Sequence, residues 1–251
     1  KSSSEIKKIM KMVLQKIIAL SGQASRREAE KMIKAGHVKI NGRLACLSDR
    51  AEEGIDIITI NGKPLPKKQE FIYLKLNKPI GYTCTNRVFA GEKNIFSLIP
   101  LRERLFSIGR LDKNSQGLII LTNDGALAHQ LSHPRFQQEK IYEVKVSTAD
   151  GQELTPKKIQ EIQKFLLAGA DIGEGDGLAK VKKIKYLQNN RFVITLSEGK
   201  KRQIRRLLAL KKLTVVDLKR INFAGIDLGS LNLGAWQYLS NEELKKLKAI
   251  K

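Results

Sequence analysis

Apolar residues recur along this chain with two periods, and the changes between them mark out its elements. From Ile9 to Leu20 the residues Met12, Leu14, Ile17, Ile18 and Leu20 form a stripe at helical spacing, with Lys11 and Lys16 outside it, which predicts a helix. Gly22 ends that helix. Ser25, Arg26, Arg27 and Glu28 then spell a Ser-x-x-Glu capping box, so a second helix starts near Arg26, buries Ala29, Met32 and Ile33, and stops at Gly36. Val38 to Ile40 reads as a strand, Asn41-Gly42 as a tight hairpin turn, and Ile55 to Ile60 as a further strand before a second Asn-Gly at 61 and 62.

Beyond a short Pro, Gly and Lys stretch the pattern is mainly of period two. Phe71 to Leu76 alternates as a strand and runs into Asn77, Lys78, Pro79, Ile80 and Gly81, with a second short strand expected from Tyr82 to Thr85. Phe106 to Ile108 reads as a strand end and Leu118 to Leu121 as a buried strand. Between them lie Gly109, Arg110, Leu111, Asp112, Lys113, Asn114, Ser115, Gln116 and Gly117, a tight connection that would hold the Asp112 carboxylate out from a rigid scaffold. Taken alone, these are ordinary turn residues. Asp124 is placed to cap a helix from Ala126 to Ser132, Lys140 to Val144 and Arg191 to Leu196 read as strands, and Ser240 with Glu243 caps a short final helix. The domain boundaries follow: a flexible basic segment 1–11, a small domain 12–61, a linker 62–70 and a larger domain 71–251.

Charge narrows the partner. Among 251 residues, 47 Lys and Arg stand against 25 Asp and Glu, a net charge of +22, and the surplus runs through both domains. Such an excess implies a polyanion, and nucleic acid is the commonest. An anionic membrane is the competitor, but the chain has no apolar run of membrane length and its first residues do not read as a signal peptide, which predicts a soluble cytoplasmic protein with no membrane partner. Cys46 and Cys84 are too few for a disulfide framework or a zinc ribbon and read as small apolar residues. His129 and His133 are better placed for helix-end roles than for a metal, and no metal site is expected. The stretch with Gly169, Gly173, Gly175 and Gly177 carries Asp171, Glu174 and Asp176, which would repel phosphate, so it reads as a flexible connection.

The order LQKIIALSGQASRREAEKMIKAGHVKINGR resembles the S4 RNA-binding fold over Val13 to Leu65. That resemblance implies that Lys16, Ser25, Arg26, Arg27, Lys34, His37 and Lys39 face structured RNA. Four ordered motifs of the larger domain resemble the RsuA/RluB family of pseudouridine synthases: LNKPIGYTCT, the GRLD of residues 109–112, Lys140-x-Tyr142-x-Val144, and EGKKRQIRRLLA from Glu198. The implied fold class is α+β, an S4 domain followed by a catalytic domain with a mixed, largely antiparallel sheet. The implied activity is isomerisation of uridine to pseudouridine in ribosomal RNA, with 23S RNA of the large subunit favoured, 16S RNA the alternative, and a pre-ribosomal particle a possible form of the substrate.

In that family the aspartate is catalytic, which assigns Asp112 either attack on ribose C1′ or removal of the 2′ proton. Tyr142 would stack on the extruded base, Arg205 would form an ion pair with Asp112, Arg110 would hold the extruded nucleotide or a phosphate, and Lys140 would support the site. Lys200, Lys201, Arg202 and Arg206 would contact RNA. Nothing is oxidised or hydrolysed, so no cofactor is expected, and the enzyme is expected to act as a monomer. The rival is a non-catalytic S4-type RNA-binding or ribosome-assembly factor, against which the intact set of Asp112, Tyr142 and Arg205 argues.

Overall fold

The structure is a computed structural model that describes residues 11–52, 54–66, 69–87 and 90–250. It divides into two compact units that meet in sequence between Phe71 and Ile72.

In the first unit, helix α1 spans Leu14–Leu20 and follows a short strand, Met12–Val13, that pairs antiparallel with Arg50–Ala51. The predicted start at Ile9 falls outside the described residues, and Met12 and Val13, expected within the helix, are held extended instead by their pairing with Arg50–Ala51. Helix α2, Arg26–Lys34, opens with the expected capping box: the Ser25 hydroxyl accepts from the Glu28 amide at 3.1 Å, and the Ser25 amide donates to the Glu28 carboxylate at 2.7 Å. Leu14, Ile17, Ile18, Ala29, Ile33, Val38 and Ile58 share one core. Asn41 and Gly42 both have positive φ, as do Asn61 and Gly62, the backbone that a two-residue hairpin of this type requires. The later strand is shorter than the apolar run suggested: it spans Ile58–Ile60, and Ile55 and Ile57 are exposed. Lys63–Pro64, expected in the linker, instead pairs with Ile58–Ile60 and closes a four-stranded sheet. Lys67 and Lys68 of that linker lie outside the described residues.

The second unit is built on a nine-stranded sheet. Its main path runs Lys183–Tyr186, Arg191–Leu196, Lys140–Ser147, Thr214–Phe223, Gln116–Thr122, Tyr73–Lys78 and Trp236–Tyr238. Phe106–Ile108 pairs with Gln116–Thr122, and Ile226–Asp227 with Thr214–Phe223. Within this sheet every pairing of the described residues is antiparallel except Gln116–Gly117 against Lys219–Arg220. The strand predicted over 71–76 lies at Tyr73–Lys78 and is buried at all six positions rather than alternating, because it sits centrally with cores on both faces. The short strand after it covers Tyr82–Thr83.

Helix α3, Gly125–Ser132, is capped by the Asp124 carboxylate, which accepts from the Ala126 and Leu127 amides and from the Tyr73 hydroxyl at 2.9 Å. His133 is its C-cap residue, with its ring 5.4 Å from that of His129. Helix α4, Pro156–Ala168, and helix α5, Gln203–Ala209, contribute Ile162, Leu166, Ile204, Leu207 and Leu208 to the core that also holds Tyr142 and Leu111. Helix α6, Asn241–Lys248, has the predicted Ser240–Glu243 capping box. A buried Lys75 ammonium donates to the Glu243 carboxylate at 2.7 Å and pins that helix to the sheet. No helix of the described residues is long and apolar enough to cross a membrane.

Candidate active site

One row of cross-strand partners organises the site. Lys78 faces Gly117, Gly117 faces Arg220, Arg220 faces Tyr142, and Tyr142 faces Ile194. Gly117 places no side chain in this row, and it could not: with φ at +106°, a Cβ there would lie 2.3 Å from the Arg220 carbonyl oxygen. The glycine allows the close parallel approach that brings the three flanking side chains to the base of the Gly109–Gly117 connection.

Two cations hold that connection by its carbonyls. Lys78 is fully buried, and its ammonium donates to the carbonyl oxygens of Ser115 at 2.7 Å, Pro79 at 3.0 Å and Asp112 at 3.1 Å. Burial pushes this ammonium down to about 8 from its ordinary 10.5, against the opposing pull of Cys84 and Asp112. Arg205, on α5, donates to the Asn114 carbonyl at 2.7 Å and to the Val215 carbonyl at 3.0 Å. The Ser115 amide closes the turn onto the Asp112 carbonyl at 3.0 Å. Asp112 itself is exposed, and its carboxylate has no hydrogen bond or ion pair among the described residues. The expected Arg205–Asp112 ion pair is therefore not formed. Arg205 spends its fork on main-chain oxygens either side of the site and reaches Asp112 only through the longer-range attraction that partly opposes the lowering of its own pKa by burial.

Tyr142 is 8% exposed, lies in the same core as Leu111, and makes no hydrogen bond through its hydroxyl among the described residues. Lys140 is half-buried, donates to the Gln138 carbonyl at 2.8 Å, and has its ammonium pushed down to about 8 by burial and by Arg220. The Arg110 side chain is exposed beside Asp112. Cys84 is more than filler: its thiol donates to the Leu111 carbonyl at 3.3 Å and accepts from the Leu111 amide at 3.4 Å, and burial raises its pKa. Cys46, read as a small apolar residue, is exposed. Among the described residues no group of three or more His, Cys, Asp and Glu comes together that could hold a metal.

The basic run before and on α5 is divided in its roles. Lys200 donates to the carbonyls of Asp176 and Leu178, Lys201 pairs with Glu174 at 3.2 Å, and Arg206 binds the Asp176 carboxylate and the carbonyls of Ile172 and Gly173. Arg206 and Lys200 are thus engaged within the chain rather than offered to RNA, and the glycine-rich stretch is not a free connection but a hairpin of Ala170–Asp171 and Leu178–Ala179 clamped to α5. Its acids repel a phosphate but suit these cations. Arg202, in a left-handed conformation at φ +50°, remains exposed. In the first unit Arg26, Arg27, Lys34, His37 and Lys39 are all exposed and Lys16 is half-buried, while the Ser25 hydroxyl is taken by its cap.

Sequence reasoning placed Asp112, Tyr142, Lys140 and Arg205 in one neighbourhood, and the structure brings their segments together. It missed Arg220 and the function of Lys78. A signal for Arg220 existed: from Leu218 the period-two pattern turns Arg220 and Asn222 inward.

The RNA pseudouridylate synthase family model matches residues 72–210, and the S4 domain model matches residues 12–54. The chain belongs to the RNA pseudouridine synthase family. It is 38% identical to an RNA pseudouridine synthase of Aquifex aeolicus over 95% of this chain and 94% of that one. It is 36% identical to ribosomal large subunit pseudouridine synthase B of Bacillus subtilis, over 94% of this chain and 96% of that relative. A crystal structure of a pseudouridylate synthase superposes with a TM-score of 0.66 at 29% identity, covering 93% of this chain and 98% of the other. This pseudouridine synthase thus carries an S4 domain ahead of its catalytic unit, and RNA is its class of substrate.

Proposed function

We propose that this synthase converts uridine to pseudouridine in 23S ribosomal RNA, free or in an assembling subunit, in the cytoplasm, and that Asp112 carries the reaction. One observation supports the assignment above the others: the Asp112 carboxylate is exposed and has no partner among the described residues, on a turn whose main chain is held by Lys78 and Arg205. A rigid turn with a free carboxylate is what catalysis by a positioned group requires. The relatives named for the ribosomal large subunit support the choice of RNA.

The reaction breaks the N1–C1′ bond, turns the uracil and joins C5 to C1′; the hydrogen on C5 leaves to solvent and N1 regains a proton. Asp112 acts at C1′ or takes the 2′ proton. Extruding the uridine costs roughly a few kcal/mol. Stacking on Tyr142 returns about 1–3 kcal/mol of that. Arg110, exposed on the loop itself, holds the extruded nucleotide or a phosphate, Lys140 supports the site, and Arg26, Arg27, Lys34, His37 and Lys39 with Lys16 grip structured RNA by phosphate and shape.

Release of tritium from rRNA labelled at uridine C5 tests this. Wild type should release label from 23S RNA and not from 16S RNA, while Asp112→Asn should bind with unchanged affinity and release none. Full turnover by Asp112→Asn removes the residue assignment, and release from 16S RNA alone removes the choice of substrate.

A further inference from the structure

Arg220 is a buried guanidinium that the reaction as described does not use. It is 1% exposed, among the largest fully buried side chains, and no carboxylate of the described residues lies within 4.0 Å of it. Its Nε donates to the Leu118 carbonyl at 2.7 Å and its Nη1 to the Arg110 carbonyl at 3.5 Å, while Nη2 is buried without a partner. Its guanidinium carbon lies 5.1 Å from the centre of the Phe223 ring. A buried cation lacking a counter-ion is a poor choice for packing alone, since an apolar side chain of similar volume fills such a place without the loss of hydration.

Its contacts show what it does instead. Arg110 stands two residues before Asp112, and Leu118 opens the buried part of the strand after it, so one planar fork spans both shoulders of the Asp112 loop. The same residue faces Tyr142 on the neighbouring strand and Gly117 on the other side. Lys78 and Arg205 hold the middle of the loop, whereas Arg220 bonds to both its shoulders from the strand that pairs with Tyr142.

We propose that Arg220 is a positioning residue for the Asp112 reaction, setting the distance between the loop and Tyr142, and that its unmet Nη2 donor is filled as the loop tightens over bound RNA. The inference rests on the reading of Asp112 above. The rigid fork is the essential feature, because a lysine supplies the charge without two fixed donor directions.

Steady-state kinetics on 23S RNA with Arg220→Lys and Arg220→Met, run beside Asp112→Asn, decide it. Arg220→Met should lose about 100-fold in kcat, the scale of a small misplacement of a reacting group, with KM and RNA Kd within roughly threefold of wild type. Arg220→Lys should fold, bind equally well and recover part of kcat, about 10-fold below wild type. If Arg220→Met does not fold, Arg220→Lys alone decides. A folded Arg220→Lys with wild-type kcat, or a loss that falls on Kd rather than kcat, overturns the proposal when Asp112→Asn is inert. An active Asp112→Asn instead overturns the reading on which it rests.

Discussion

The Arg205 guanidinium donates to the carbonyl oxygen of Asn114 at 2.7 Å, two residues past Asp112, and forms no ion pair with the aspartate itself. A carboxylate tied in a bidentate pair with arginine is held low in pKa but has its oxygens occupied. Here the arginine fixes the turn and leaves both oxygens free. Arg205→Lys keeps a charge near Asp112 but cannot reach the Asn114 and Val215 carbonyls together in the same fork. Its kcat should fall about 100-fold with RNA affinity nearly unchanged. Single-turnover rates against filter-binding Kd check this; a loss confined to Kd would reassign Arg205 to RNA contact.

Lys78 gives the site a dependence on alkaline pH. Its ammonium pKa lies near 8 in the folded chain and near 10.5 when unfolded. Below pH 8 it is charged in both states and donates to three carbonyls. Above that it loses a proton in the folded state, and the hold on Asp112 and Ser115 weakens, so kcat should decline as pH rises through about 8. The effect on stability has the opposite sign: between about pH 8 and 10.5 the unfolded chain binds more protons at this position, so this group's contribution to folding free energy grows with pH. Lys140 titrates in the same range. A profile of kcat for Lys140→Gln separates the two, since the decline should persist there. A flat wild-type profile to pH 9.5 contradicts the role of Lys78.

How much of this was legible beforehand follows from the range of each interaction. The Asp112 connection, the Ser25 and Ser240 capping boxes and the Asn-Gly turns depend on neighbours in sequence, and their residue types alone announce them. Arg220 reaches Leu118 and Arg110 across more than a hundred residues, and Lys78 reaches Ser115 only because two strands pair in one register. A basic residue in a strand gives no sign of which carbonyl it will meet. Lys200 and Arg206 were visible as charge, but their partners Asp176 and Ile172 stand in a glycine-rich stretch whose fold depends on α5 itself.

Gly117 is a backbone requirement rather than a preference. Gly117→Ala would put a methyl group 2.3 Å from the Arg220 carbonyl oxygen and 2.6 Å from its amide nitrogen at a φ of +106° that L residues avoid. Neither atom is the end of a side chain that could swing away, so the two strands must part. The expected cost is roughly 3 kcal/mol or more, combining strain with a broken pairing. Urea unfolding should show a lower midpoint, and turnover should be lost even in the folded fraction because the Asp112 loop shifts with the strand. Gly36→Ala, also at positive φ but with open space around it, is the control and should cost only about 1 kcal/mol.

Arg202 and Arg206 stand four apart on the same basic run, and the structure separates them. The Arg206 side chain is 15% exposed and binds the Asp176 carboxylate together with the carbonyls of Ile172, Gly173 and Lys201, whereas Arg202 is exposed and its side chain bonds to nothing among the described residues. Removing Arg206 leaves a half-buried carboxylate and carbonyls without their donor, so Arg206→Ala should lower stability by about 1–2 kcal/mol and leave the salt dependence of RNA binding near wild type. Arg202→Ala should do the reverse. It should leave the unfolding midpoint unchanged and, if Arg202 meets a phosphate, reduce the slope of log K against log salt by about 1. Measuring both variants by urea unfolding and by RNA binding at several salt concentrations tests the division directly. Equal effects of the two substitutions on the salt slope would mean that Arg206 leaves its hairpin to take up RNA.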